Sequence, residues 1–256
     1  MAIGNCNFCN LRGRFARAHI IPKSFYARSD VGPLHIYSSK LGRAPKRSPV
    51  GVYDNELICV SCEAKYAYLD NYAAEKLRPW PRRSQLFKDE TGFILKIPGQ
   101  HLGGYWLHKI DADRLKLFFC FLTLRCAKTS REEYRITLPT DVSLRLERAL
   151  QNKDASVAGI YVFGSRYFDR KSTGTFSPWP RSPKGDKPLN FVLLGLRFVV
   201  HFQVPSELPE LSLGSGPSWP IIFDEFKGSK LHKIAVDMVS KFPSPWAGLR
   251  TRGRVA

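Results

Sequence analysis

Two stretches decide how this chain is read: CNFCNLRGRFARAHIIP (6–22) and LICVSCEAKYAYLDNYA (57–73). Each carries one Cys-x-x-Cys pair, Cys6 with Cys9 and Cys59 with Cys62. A Cys-x-x-Cys turn presents two thiolates to one side of an ion, so two such turns complete a tetrahedral shell of the kind zinc takes. Short-range pairs of this sort read as metal ligands rather than disulfides in a reducing compartment. The remaining cysteines, Cys120 and Cys126, sit in an apolar run and read as core residues. A closed four-cysteine site has no open coordination position. Its role would be structural, and any chemistry must come from side chains that it positions.

His19 is the first such side chain. It lies in FARAHIIPKSF (15–25), a short apolar strand ended by Pro22. After Cys62 the stretch EAKYAYLDNYAAEKL (63–77) reads as a helix in which Glu63 and Asp70, seven residues apart, share one face. Carboxylates suit Mg²⁺ or Mn²⁺, and an imidazole can take a proton from water. His19, Glu63 and Asp70 are therefore candidate catalytic residues, with the two carboxylates as candidate ligands of a catalytic divalent ion. Asn55, just ahead of the second cysteine pair, reads by its position as a turn residue.

The wider composition agrees with a polyanionic partner. The 256 residues carry 40 Lys and Arg against 22 Asp and Glu, a net charge of +18. A balance of that sign favours phosphate contacts and counterion release. Residues 1–50 hold nine basic side chains and one acid, Asp30. Arg12, Arg14, Arg17 and Lys23 flank the first cysteine pair and His19, and are the candidate nucleic-acid contacts. Further basic groups stand at Arg78, Arg82 and Arg83 and at Arg250, Arg252 and Arg254. No apolar run approaches the roughly eighteen residues a membrane span needs, and MAIGNCNFC lacks the pattern of a secretory signal. The expectation is a cytoplasmic protein without a membrane partner.

Apolar residues make up 43% of the chain, enough for a substantial core. The expected fold class is α+β. Residues 1–77 form a zinc-stabilised unit, 78–92 (RPWPRRSQLFKDETG) a proline-broken connector, and 93–256 an α+β region. In the last, FILKIPG reads as a strand and 111–130 as a helix capped by Asp111, apolar enough to be buried. Residues 141–153 read as a helix capped by Asp141, with Leu144, Leu146 and Leu150 facing the core. GIYVFGSRYF (159–168) and NFVLLGLRFVVHFQV (190–204) read as β-structure, separated by an exposed basic loop. GSKLHKIAVDMVSKF (228–242) reads as a last amphipathic helix. The region leaves room for a protein partner or homodimer contact.

The order C-x-x-C, His-Ile-Ile-Pro, Leu-Ile-Cys-x-x-Cys, helix resembles the HNH, or ββα-metal, endonuclease superfamily, in the branch with two zinc-binding Cys-x-x-Cys knuckles. The resemblance covers roughly residues 5–77. It implies structural Zn²⁺ at Cys6, Cys9, Cys59 and Cys62, a catalytic Mg²⁺ or Mn²⁺, and hydrolysis of DNA phosphodiester bonds, in restriction or phage defence. It casts His19 as the general base and Glu63, directly after the last cysteine, as a metal ligand. The chain departs from the pattern at two places. Ala18 stands where the superfamily commonly has a metal-binding Asp, and Asp54 where it has its middle Asn, with Asn55, which the resemblance makes a further catalytic candidate, one position late. Asp70 is the substitute ligand suggested by helical spacing alone. The missing Asp keeps a second reading open, a catalytically inactive zinc-dependent nucleic-acid-binding protein derived from the same fold.

Overall fold

A computed structural model describes residues 2–26, 51–78, 92–97, 100–167, 175–180, 187–205, 211–214 and 216–224. The chain is α+β. The 79–91 part of the expected connector, the expected helix at 228–242 and the basic groups Arg82, Arg83, Arg250, Arg252 and Arg254 lie outside the described residues.

The N-terminal segment is built from very short strands. β1 (Ile3–Asn5) and β2 (Arg12–Arg14) form an antiparallel ribbon whose connecting turn carries Cys6 and Cys9. β3 (Ala18–His19) then pairs antiparallel with β4 (Tyr53–Asp54), and Pro22 diverts the chain into a 3-10 turn over Lys23–Phe25. Helix α1 (Val60–Leu77) follows directly. Cys59 is its N-cap: the sulfur accepts from the Cys62 N–H, so one side chain both starts the helix and faces the other cysteines. The buried positions Tyr66, Leu69, Ala73 and Leu77 recur at helical spacing and turn one stripe inward.

α2 (Ala112–Lys128) is the centre of the molecule. Asp111 caps it as expected, accepting from the Arg114 N–H at 2.9 Å. Every residue from Leu117 to Cys126 is buried, because the helix has protein on opposite sides. One side carries Phe119 against Phe198 and Trp219 of the large sheet. Another carries Phe121 against Tyr66 of α1 and Phe8 of the first cysteine turn. Cys120 and Cys126 are core residues, and burial pushes the Cys120 thiol up to about 12.

Among the described residues the large sheet has seven strands, in the order β5 (Gly92–Ile97), β6 (Gln100–His108), β11 (Ser218–Asp224), β7 (Tyr161–Tyr167), β10 (Leu196–His201), β9 (Leu189–Leu193) and β8 (Phe176–Trp179). Only the β11–β7 pair is parallel. The run read as one β-rich stretch at 190–204 is a hairpin: Leu194 and Gly195 take φ of 53° and 74°, the two-residue turn that matches strand twist. The loop expected before it contains β8, at the edge of the sheet among the described residues, a place that tolerates Pro178.

α3 (Thr140–Asn152) differs in detail from its expectation. Pro139 is the N-cap and Asp141 lies in the first turn, where a carboxylate still meets the positive end of the helix. Leu146 and Leu150 are buried with Val142 and Ala149, whereas Leu144 is exposed because it falls outside that stripe.

The N-terminal segment and the large sheet share one continuous apolar cluster that runs from Cys6 to Ile221. Polar ties reinforce it. The buried Arg166 of β7 donates to the Leu77 carbonyl at the end of α1 at 2.9 Å, and Thr175 Oγ1 donates to the Phe25 carbonyl at 2.6 Å. No helix among the described residues is long and apolar enough to cross a membrane.

Candidate functional site

Cys6, Cys9, Cys59 and Cys62 come together with their sulfurs all within 4.8 Å of one another. Backbone geometry builds the cluster. In the first turn the Asn10 N–H donates to the Cys6 carbonyl and the Cys6 N–H to the Leu11 carbonyl, with Asn10 at φ 59°. The second pair comes from the N-cap and first turn of α1. The Cys6 sulfur accepts N–H groups from Cys59 at 3.2 Å and Phe8 at 3.4 Å. Burial pushes the Cys6 thiol up, but these N–H donors outweigh it and bring it down to about 7. Burial and the neighbouring sulfurs push the Cys62 thiol strongly up. Four crowded sulfurs in which one thiolate forms easily and another only with help make a site that could hold a metal ion, and the donor set suits zinc.

The first cysteine turn is anchored on the end of α2. Asn7 Nδ2 donates to the Glu56 carbonyl at 3.1 Å and the Lys128 carbonyl at 3.4 Å, and Lys128 Nζ donates back to the Asn7 carbonyl at 2.6 Å. Asp54 provides a second anchor. It is buried at the end of β4 and accepts from Thr129 Oγ1, the Ser130 N–H, Ser130 Oγ and the Glu56 N–H, all within 2.9 Å. Burial pushes its carboxyl up, and these donors together hold it below the usual carboxylate range. Asn55, the neighbouring sequence candidate, sits exposed in the turn after β4.

His19, Glu63 and Asp70 gather around a residue that the sequence reading did not single out, Arg125 of α2. Its side chain is fully buried. Nη2 is ion-paired with Asp70 and Nη1 donates to the His19 carbonyl at 2.9 Å, while the guanidinium lies 4.0 Å over the Phe121 ring. Asp70, the substitute metal ligand that helical spacing suggests, is ion-paired with this guanidinium through one carboxylate oxygen. Glu63 is different. Its N–H donates to the Cys59 carbonyl at 2.9 Å, and its Oε2 is buried without a hydrogen-bond partner. Burial pushes the Glu63 carboxyl up, Arg125 opposes that and Asp70 adds to it. Burial likewise pushes Asp70 up, against the pull of Arg125 and His19.

The His19 ring is half-buried and lies edge-on to Tyr53 at 6.1 Å and tilted to Tyr26 at 6.4 Å. Ala18, on the opposite face of the same strand, is fully buried. Among the described residues, the four cysteines are the only group of three or more His, Cys, Asp or Glu side chains with ligand atoms that close together. The candidate phosphate contacts Arg12, Arg14, Arg17 and Lys23 are all exposed, and Arg17 stacks on the Tyr53 ring at 3.8 Å.

The sequence signal for Arg125 is its place as one cation within the apolar run LFFCFLTLRC (117–126). A fully buried arginine requires a partner. That signal says a partner exists without saying which carboxylate it is. Compared with known proteins, the chain matches no family model, no curated protein and no solved structure.

Proposed function

We propose that this chain is a metal-dependent endonuclease of the HNH type that hydrolyses DNA phosphodiester bonds, in restriction or phage defence. The observation that supports the reading is the four-cysteine cluster with Glu63 directly after its last cysteine, one Glu63 oxygen being buried and unpartnered, and Arg125 tying the His19 carbonyl to Asp70 of the same helix. Such an oxygen is costly unless something binds it. In this reading Zn²⁺ sits between Cys6, Cys9, Cys59 and Cys62 and holds the two elements in place. His19 takes the proton from the attacking water. Glu63 would supply a charged oxygen to hold Mg²⁺ or Mn²⁺, and such an ion would stabilise charge on the leaving oxygen. Arg12, Arg14, Arg17 and Lys23 face the DNA, whose phosphates complement the net charge of +18.

A second reading has its own support. Arg125 already places a fixed positive charge beside Asp70 and Glu63, and Ala18 offers no ligand. A guanidinium in that position suits a non-catalytic zinc-dependent nucleic-acid-binding protein. Plasmid cleavage separates the two. Wild type, His19→Ala and Glu63→Gln, matched for zinc content, are incubated with Mg²⁺, with Mn²⁺ and with EDTA. Cutting by wild type with either metal, lost in both variants and in EDTA, is the expected result. Salt-sensitive DNA retention without cutting in either metal selects the binding protein.

A further inference from the structure

The register of the β1–β2 ribbon sorts its side chains cleanly. Ile3 pairs with Arg14, Gly4 with Gly13 and Asn5 with Arg12. Side chains alternate along a strand, so Ile3, Asn5, Arg12 and Arg14 share one face and the two glycines share the other. The glycine face is turned to the protein. A Cβ on Gly4 would lie 2.6 Å from the Phe15 ring, and one on Gly13 would lie 3.4 Å from the Cys59 Cβ. The absence of side chains there lets the ribbon lie flat against the cysteine cluster. The other face is wholly exposed, and Ile3 keeps 66% of its surface. Among the described residues neither Arg12 nor Arg14 has an ion-pair partner.

This face is chemically mixed in a particular way. A face that only gripped phosphates would need cations alone. Here each arginine stands directly across from a residue that phosphate does not require: Asn5 beside Arg12, Ile3 beside Arg14. The major groove admits a two-stranded ribbon, and its base edges match this set. Arginine pairs with the two guanine acceptors, asparagine with adenine, and an apolar side chain with the thymine methyl. Arg17, stacked on Tyr53, and Lys23, in the 3-10 turn, lie off the ribbon.

Resting on the nucleic-acid reading above, we propose that the outward face of the β1–β2 ribbon docks in the major groove of duplex DNA. Asn5 and Arg12 read base edges on one rung of the ribbon, and Ile3 and Arg14 on the next. The ribbon runs straight into the strand that carries His19, tied to the second cysteine segment by the Phe15–Cys59 bridge and the bond from the Ala16 N–H to the Ile58 carbonyl. Arg14 and His19 are five positions apart in the chain, a reach of at most about 18 Å. With about 3.4 Å of rise per base pair, the base read by Arg14 lies within roughly five pairs of the phosphate facing His19.

The experiment selects duplexes from a randomised pool by retention on the full chain without added divalent ion. It is repeated with Asn5→Ala, Arg12→Ala and Lys23→Ala, and followed by cleavage of the selected duplexes with Mg²⁺ or Mn²⁺. Wild type should enrich a short motif. Asn5→Ala and Arg12→Ala should each lose discrimination at one position by about 5- to 150-fold. Lys23→Ala should weaken all sequences alike. Replacing the guanine facing Arg12 by 7-deazaguanine, which lacks the N7 acceptor, should weaken wild type and leave Arg12→Ala unaffected. The proposal is overturned by a pool with no enriched motif, by a motif unchanged in both ribbon variants, or by equal, ribbon-dependent retention of single strands, RNA or anionic vesicles. Cleavage without any ribbon-dependent motif removes this proposal and leaves the endonuclease standing. A ribbon-dependent motif on duplexes that are never cut does the reverse.

Discussion

Arg125, fully buried, and Asp70, mostly buried, form an ion pair that joins the central helix α2 to α1. The same guanidinium holds the main chain of His19 through its carbonyl. One side chain from outside the cysteine-bearing segment thus sets the spacing between the strand with His19 and the helix with Glu63 and Asp70. The fork shape of the guanidinium allows this, since its nitrogens can serve different partners at once.

Cutting the pair on one side should be costly. Arg125→Met strands the Asp70 carboxylate, and removing one member of a buried pair costs about 3–5 kcal/mol. Arg125→Lys should not restore stability, because one ammonium cannot reproduce the fork between Asp70 and the His19 carbonyl. Arg125→Met with Asp70→Leu should recover most of the loss, since an apolar replacement of the whole pair leaves no orphaned charge. Urea unfolding of wild type, Arg125→Met, Asp70→Leu and the double variant closes the cycle, with Arg125→Lys measured beside them. Additive losses would show that the pair is not a unit.

Metal removal should act locally first. β1, β2, β3 and β4 have two or three residues each, too few to hold a sheet unaided. Much of the order of residues 2–26 therefore depends on whatever joins the four sulfurs. Purified protein should carry one equivalent of zinc, lost in Cys6→Ser and Cys62→Ser. Chelation should speed amide exchange in 2–26 while β9 and β10, buried within the large sheet, stay protected. Equal exchange with and without chelator would remove the structural role of the metal.

Legibility in the sequence followed the range of the physics involved. The cysteine pairs, α2 with its Asp111 cap, and the helix after Cys62 are set by contacts within a few residues, so spacing revealed them. The site is harder because its partners are far apart in the chain. Asp70 lies 55 residues from Arg125, and Asp54 lies 75 from Thr129, so helical periodicity puts Asp70 on one face with Glu63 but cannot name Arg125 as its partner. Ala18 shows the converse. Its departure from the resembled pattern was visible at once, and its burial gives a reason: a carboxylate there would point into the core. The 194–195 turn was missed because Leu-Gly lacks the Asn-Gly or Asp-Gly signature of such hairpins.

Asp54 should make stability fall in acid. Its pKa is lower in the folded chain than in the unfolded chain, so its contribution is fully present above about 3.9, the ordinary aspartate value. That contribution is lost as pH drops through the lowered folded value. Asp54→Asn should show a flatter dependence in this range. At neutral pH Asp54→Ala should cost at least the roughly 1.5–3 kcal/mol of a single hydrogen bond to a charged group, because several donors lose their acceptor together. Denaturant midpoints from neutral pH downwards test both statements. Parallel curves for wild type and Asp54→Asn would mean the carboxylate is not held ionised.

Glu63 should behave with the opposite sign. Burial raises its pKa in the folded chain, so the folded state binds the proton more tightly than the unfolded state. Stability then falls as pH rises above the ordinary glutamate value of about 4.3, and levels off once pH exceeds the raised folded value. Relative to Glu63→Gln, wild type should lose ground across that window at matched zinc content. A divalent cation that binds the unpartnered Oε2 would favour the ionised form and offset the loss. Melting temperatures of wild type and Glu63→Gln at neutral pH, with and without millimolar Mg²⁺ or Mn²⁺, read this directly and need no substrate. Wild type alone should gain stability with the ion, by an amount that grows with its concentration. An equal gain in both proteins would place the cation elsewhere on the chain, and no gain in either would leave Glu63 as a buried carboxylate answering only to Arg125 and Asp70.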